Sequence, residues 1–251
     1  MSSKFSYLMM AASVLFATSC ESDQELVSVQ QAATSQVSFN LSTPQMASRA
    51  YSDGLTATHL QYAVYDNNGT LLSDLTNNQA TINGSTTVDL QLVTGNTYSV
   101  VFWAAAPGAP YTVDFENKSV AISYDNALSN DEARDAFYAY KTFTVEGAQS
   151  ERIELKRPFA QINIGTSDYA AAQSAGYIPT QSSVEVTGVA NKLNFVDGTV
   201  EGDVTATFAL ADINKNEVFP VADNKYLAMN YVLVPADKQL VDVAFTYTDN
   251  N

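Results

Sequence analysis

One cysteine and one histidine stand in 251 residues. The single cysteine excludes an intrachain disulfide and a cysteine-rich zinc site, and the single histidine excludes a multi-histidine metal site. Basic residues are also scarce, with 12 Lys and Arg against 27 Asp and Glu, a formal net charge of −15. Phosphate binding needs a concentrated basic face, so nucleic acid is excluded as a partner. Adsorption to an anionic membrane through basic residues is excluded for the same reason. No apolar run reaches the length of about 20 residues that a spanning helix needs. What the chain does have is 46% apolar and 16% charged residues, enough to bury a core.

The one cysteine is informative through its position. Lys4 supplies a positive n-region, and Tyr7 to Phe16 supply a short apolar h-region. Small residues Ala17, Thr18 and Ser19 then lead into Cys20. This arrangement resembles the lipobox of bacterial lipoproteins. Ala17 replaces the usual Leu, a position at which Bacteroidetes lipoproteins are looser. The resemblance implies cleavage of residues 1–19 and acylation of Cys20. Two or three acyl chains, at about 0.8 kcal/mol per buried CH₂, would anchor the chain to the outer membrane. The acidic cluster Glu21, Asp23 and Glu25 resembles the signal that sends such lipoproteins to the cell surface. Residues 20–34 are polar and free of aromatics, as a flexible tether would be.

Beyond the tether, apolar and polar residues alternate with period two, the mark of half-buried strands. Val37, Phe39 and Leu41 form one such set, Leu60, Tyr62 and Val64 another, and Val88, Leu90 and Leu92 a third. Tyr98 to Trp103 is more continuously apolar, interrupted only by Ser99, as expected of a strand covered on both faces. Further strands are expected at 120–124, 137–145, 152–155, 159–164, 184–189, 204–210, 226–234 and 240–247. Asn68-Gly69, Asn83-Gly84, Gly95-Asn96 and Asp197-Gly198 supply turn chemistry between them. Helical periodicity is confined to two short connections, at 130–135 and 167–175. The pattern predicts an all-β chain of two tandem β-sandwiches, spanning 35–157 and 158–251. Pro158 marks the boundary because proline cannot donate to a ladder.

The lipobox, the leading strand Gln36-Val37-Ser38-Phe39, the stretch from Glu154 through Arg157-Pro158 to Ile164, and Asn230 to Pro235 together carry a resemblance. They look like the fimbrillin-like lipoproteins of Bacteroides and relatives, which build or decorate type V pili. The resemblance implies two transthyretin-like sandwiches. It also implies cleavage by an arginine-specific protease and filling of the vacated groove by a strand of a neighbouring subunit. The strand to be displaced would hold Val37, Phe39 and Leu41. The candidate cut lies between Arg49 and Ala50, in a small polar loop holding the only arginine before Arg134. An ordinary surface arginine is the alternative reading of Arg49. Full-length pilins of the family carry additional C-terminal strands, whereas this sequence stops at the polar turn 248–251. A short variant, a capping or anchoring subunit, and an incomplete second domain all fit that ending.

Other constellations are weak. Asp212 to Asn216 begins like a calcium loop, but Glu217 replaces the turn glycine and Asp223 the bidentate Glu, so a hairpin tip is expected. His59 has no nucleophile nearby in sequence, and Trp103 lies in the most apolar strand, where a core place is expected. The 14 tyrosines suit half-buried sheet faces. No enzyme, cofactor or metal is therefore expected. The partners expected are the outer membrane through the lipid anchor, other pilus subunits by strand exchange, and host or bacterial surface ligands. A glycan-binding lipoprotein beside an outer-membrane uptake system is the competing function.

Overall fold

The computed structural model describes residues 32–44, 51, 53–214, 217–235, 237 and 240–249. The chain is built almost entirely of strands, as the period-two pattern dictates. The first nine are β1 (Thr34–Ser42), β2 (His59–Tyr65), β3 (Asn77–Thr81), β4 (Ser85–Val93), β5 (Thr97–Ala105), β6 (Tyr111–Asp114), β7 (Ser119–Ile122), β8 (Ala136–Thr144) and β9 (Gln149–Glu154). Then follow β10 (Phe159–Thr166), β11 (Gln181–Val189), β12 (Lys192–Asn194), β13 (Val200–Glu201), β14 (Val204–Asp212), β15 (Lys225–Leu233) and β16 (Asp242–Thr248). The two expected helical connections are a 3-10 turn at Glu132–Arg134 and a short helix, α1, at Tyr169–Ser174.

Among the described residues five sheets form, ordered β4-β1-β9, β3-β2-β5-β8, β13-β12-β7-β6, β10-β15 and β14-β11-β16. Alternation decides which core each side chain enters. On β5, Val100, Phe102 and Ala104 join β1 and β4 in a first core, while Val101, Trp103 and Ala105 join a second. The continuous apolar run in β5 is thus the signature of a strand covered on both faces. β15 is similarly two-sided: Met229, Tyr231 and Leu233 enter the second core, and Ala228 and Val232 enter a third with Val184, Val186 and Phe208. Pro158 lies between β9 and β10, yet strands from both sides of it join in the β13-β12-β7-β6 sheet.

A buried ion pair sits at that crossing. Arg157 donates from Nε to Asp135 Oδ1 at 2.6 Å and from a terminal nitrogen to Oδ2 at 2.7 Å. This fork is the geometry of an ionised pair. The Asp135 side chain is fully buried and that of Arg157 only 14% exposed. Burial lifts the Asp135 carboxyl above the ordinary carboxylate range, against the pull of Arg157. Burial also opposes the Arg157 charge, but the hydrogen bonds and charge of Asp135 win and hold the guanidinium more firmly protonated. Its planar face lies 4.9 Å from the Phe137 ring centroid and 5.9 Å from that of Tyr231. The pair therefore ties the start of β8 to the chain entering β10 and to β15.

Removing one partner strands a buried charge, so Arg157→Leu is expected to cost about 3–5 kcal/mol in urea denaturation. The double variant Asp135→Leu/Arg157→Leu should recover much of that loss, because a buried pair is often replaceable by apolar groups. A single variant as stable as the parent would contradict this role for the pair.

Candidate functional site

β1 carries the sequence features singled out for strand displacement, and it occupies the middle of its sheet. It pairs antiparallel with β4 from Thr34↔Val93 to Ser42↔Ser85 and parallel with β9 from Val37↔Gln149 to Ser42↔Glu154. Val37 and Phe39 are fully buried and Leu41 is 2% exposed. The Phe39 ring centroid lies 5.5 Å from that of Phe102 and 5.2 Å, edge-on, from that of Phe143. Burying these three side chains is worth on the order of 5–9 kcal/mol at about 1.5–3 kcal/mol each. That is comparable to the net stability of a whole domain, about 5–15 kcal/mol.

The opposite face of β1 is polar and exposed or half-buried. Ser38 donates to Asp89 Oδ1 at 2.5 Å, and Asn40 donates from Nδ2 to Ser150 Oγ at 2.7 Å. The Thr87 hydroxyl donates to Asn40 Oδ1 at 3.1 Å. These exposed bonds favour the register, while the apolar face supplies most of the energy. At the exit of β1, Thr43 N donates to Gly84 O at 2.9 Å. Tyr51 is buried in the second core, with its ring centroid 5.0 Å from that of Tyr226. Burial, and then the nearby carboxylates of Glu217 and Glu132, push the Tyr51 phenol well up. β1 thus fills the first core, whereas Tyr51 is seated in the second. Cys20, Arg49 and Ala50 lie outside the described residues.

A second feature was not legible as a site. A groove of about 320 Å³ runs beside Tyr138 and Tyr140 of β8, with Arg152 and Glu154 of β9 on one side and Val196–Gly198 on the other. It adjoins a cavity of about 330 Å³ through Tyr138, Lys156 and Gly198. The Tyr138 ring centroid is 5.9 Å from that of Phe195, which is buried beneath it. Burial, and next the Asp197 carboxylate, raise the Tyr138 phenol. Asp197 is held by hydrogen bonds to Oδ1 from the Thr199 amide at 2.9 Å and the Thr199 hydroxyl at 2.7 Å. These bonds lower its carboxyl below the ordinary range.

Trp103 and His59 lie where the sequence reading expected, but 212–216 is no hairpin tip, because β14 pairs with β11 and β15 with β10. Trp103 is 1% exposed and packs on Tyr111 and Phe195, with centroid distances of 5.3 and 5.7 Å. His59 is half-buried at the start of β2. In the stretch that begins like a calcium loop, Asn214 donates to Glu217 Oε1 at 2.8 Å, and Lys215 and Asn216 lie outside the described residues. Among the described residues, no group of three or more His, Cys, Asp and Glu could hold a metal ion. No described helix is long and apolar enough to cross a membrane.

A family model described as a family of unknown function (DUF6562) matches residues 28–251. The chain belongs to that family. No curated protein matches it. Among solved structures it is similar to a Bacteroides thetaiotaomicron protein proposed to bind polysaccharides (DUF1812). That match has 15% identity and a TM-score of 0.55, over 85% of this chain and 76% of the other. The fimbrial anchor protein Mfa2 of Porphyromonas gingivalis matches at 12% identity and a TM-score of 0.49, over 86% and 78%. A fimbrial assembly protein of Parabacteroides distasonis matches at 16% identity and a TM-score of 0.40, over 86% and 82%. The first of these shows a shared fold. The fimbrillin-like resemblance read from the sequence has Bacteroidetes fimbrial and adhesin structures among its matches.

Phe39→Ala is expected to lower stability by about 3–5 kcal/mol, because the ring leaves a cavity between Phe102 and Phe143. Gln36→Ala, on the exposed face of the same strand, should stay within about 0.5 kcal/mol of the parent. Urea denaturation of the two variants checks the difference, and equal effects would refute the two-faced account of β1.

Proposed function

We propose that this chain is a surface-anchored, fimbrillin-like structural or accessory subunit of a type V pilus, assembling by strand addition after Arg-specific proteolysis. The observation that carries the reading is the place of β1: a central strand whose apolar face fills the first core and which precedes Arg49 in the sequence. Removing it would open a groove between β4 and β9. An incoming strand must run antiparallel to β4 and parallel to β9, with apolar side chains at the three positions that Val37, Phe39 and Leu41 fill. Ladder bonds would then give affinity and the alternate pockets specificity. Acylation at Cys20 would hold the subunit at the outer membrane until processing.

Cutting between Arg49 and Ala50 would separate β1 covalently from Tyr51, which is seated in the second core. The fragment can still remain bound through its ladders and buried face, so release requires a competing strand that fills the pockets better. A glycan-binding lipoprotein is the second reading. It is favoured by the groove beside Tyr138 and by the fold shared with the protein proposed to bind polysaccharides.

Parent and Arg49→Ala proteins incubated with an arginine-specific protease test the first reading. The parent is expected to yield a shorter product and SDS-resistant oligomers, and the variant neither. Equal oligomer formation by both would overturn cleavage at Arg49. No oligomer from either would overturn the polymer-forming role in favour of an accessory one.

A further inference from the structure

We propose that the groove between β8, the β9–β10 connection and the β12–β13 turn binds a neutral oligosaccharide. The inference deepens the glycan reading and does not depend on strand addition. A volume of about 320 Å³, extended by the adjoining cavity, falls at the small end of ligand clefts, about 300–1,000 Å³. Its aromatic part comes from Tyr138 and Tyr140, which alternate onto one face of β8 and are half-buried. Phe195 backs Tyr138 at ring-contact distance, which fixes that ring without covering it. Val196, 46% exposed, adds an apolar lip. The C–H face of a pyranose ring can pack on such a surface.

The polar rim is balanced in sign. Arg152, Glu154 and Lys156 are exposed and share one face by strand alternation, and Asp197 stands across the groove. Among the described residues, neither the Arg152 guanidinium nor the Lys156 ammonium has a side-chain partner, and the bonds to Asp197 leave its Oδ2 open. Lys141, also at the groove, is taken up by Glu151. Two free cations and two carboxylates thus line the groove together. Each hydroxyl of a vicinal diol both donates and accepts, so it can use both signs. A polyanionic chain would meet Glu154 and Asp197 as repulsion, which selects the neutral class. Hydrogen bonds to charged side chains are the stronger ones, which makes Arg152 the group to remove first.

The test uses calorimetry and saturation-transfer NMR on the intact protein with cello-, xylo-, manno- and maltohexaose, and with a galacturonate pentamer as the acidic comparator. At least one neutral hexasaccharide is expected to bind. Arg152→Ala and Tyr140→Ala should each weaken it about tenfold or more. Tyr177→Ala, at an exposed tyrosine outside the groove, should leave affinity unchanged. Urea midpoints show whether each variant is folded, and Arg152→Gln replaces any that is not. Binding that ignores the groove variants would overturn this site and leave the glycan reading standing. Preferential binding of the galacturonate would overturn the neutral class. Binding of none of the probes would overturn both the site and the glycan reading.

Discussion

Among the described residues, β4 and β9 share no ladder, and each is joined to its sheet through β1 alone. The first core depends on that strand, because its three inward side chains meet residues from β4, β5, β8 and β9 at once. The pairing is also non-local. β1 lies beside β9 through partners such as Val37↔Gln149, more than a hundred residues apart, so a long stretch of chain must fold before the ladder closes. A strand in this position is stable while seated and leaves two unpaired edges when absent. Unpaired edges are templates for other strands. The same geometry therefore accounts for the stability of the first core and underlies the proposed strand addition.

The second core works differently. It gathers side chains from both sides of Pro158 and is fastened by the Arg157–Asp135 pair rather than by one central strand. Phe137 shows how closely the two regions are joined: its ring belongs to the first core and stacks under the Arg157 guanidinium. The third core, around Val186 and Phe208, is built from β11, β14 and β15 and holds no residue of β1. Thr43, at the exit of β1, is bonded to Gly84, whereas Tyr51 is seated in the second core.

Much of this was legible because alternation is a local signal. The faces of β1, β4 and β5 follow from period two, and the burial of Val37, Phe39, Leu41 and Trp103 follows from the faces. Short strands escaped notice: β12 and β13 have three and two residues, too few to show a period, and β3 is polar along Asn77–Thr81. The motif residue Arg157 read as punctuation before a proline. Its role depends on Asp135, which follows the 3-10 turn of Glu132–Arg134, and no spacing rule links the two. The groove was hidden for a similar reason. Tyr138 and Tyr140 read as an ordinary half-buried face, and the turn that makes it a cleft, Val196–Gly198, comes more than fifty residues later.

The most direct test of the central role of β1 is hydrogen exchange across the strands, with and without residues 32–49. The account predicts that their removal strips protection from β4 and β9, spares β11, β14 and β15, and that a synthetic peptide of residues 32–44 added in trans restores what was lost. Unchanged protection of β4 and β9, or equal loss in all the strands, would contradict it.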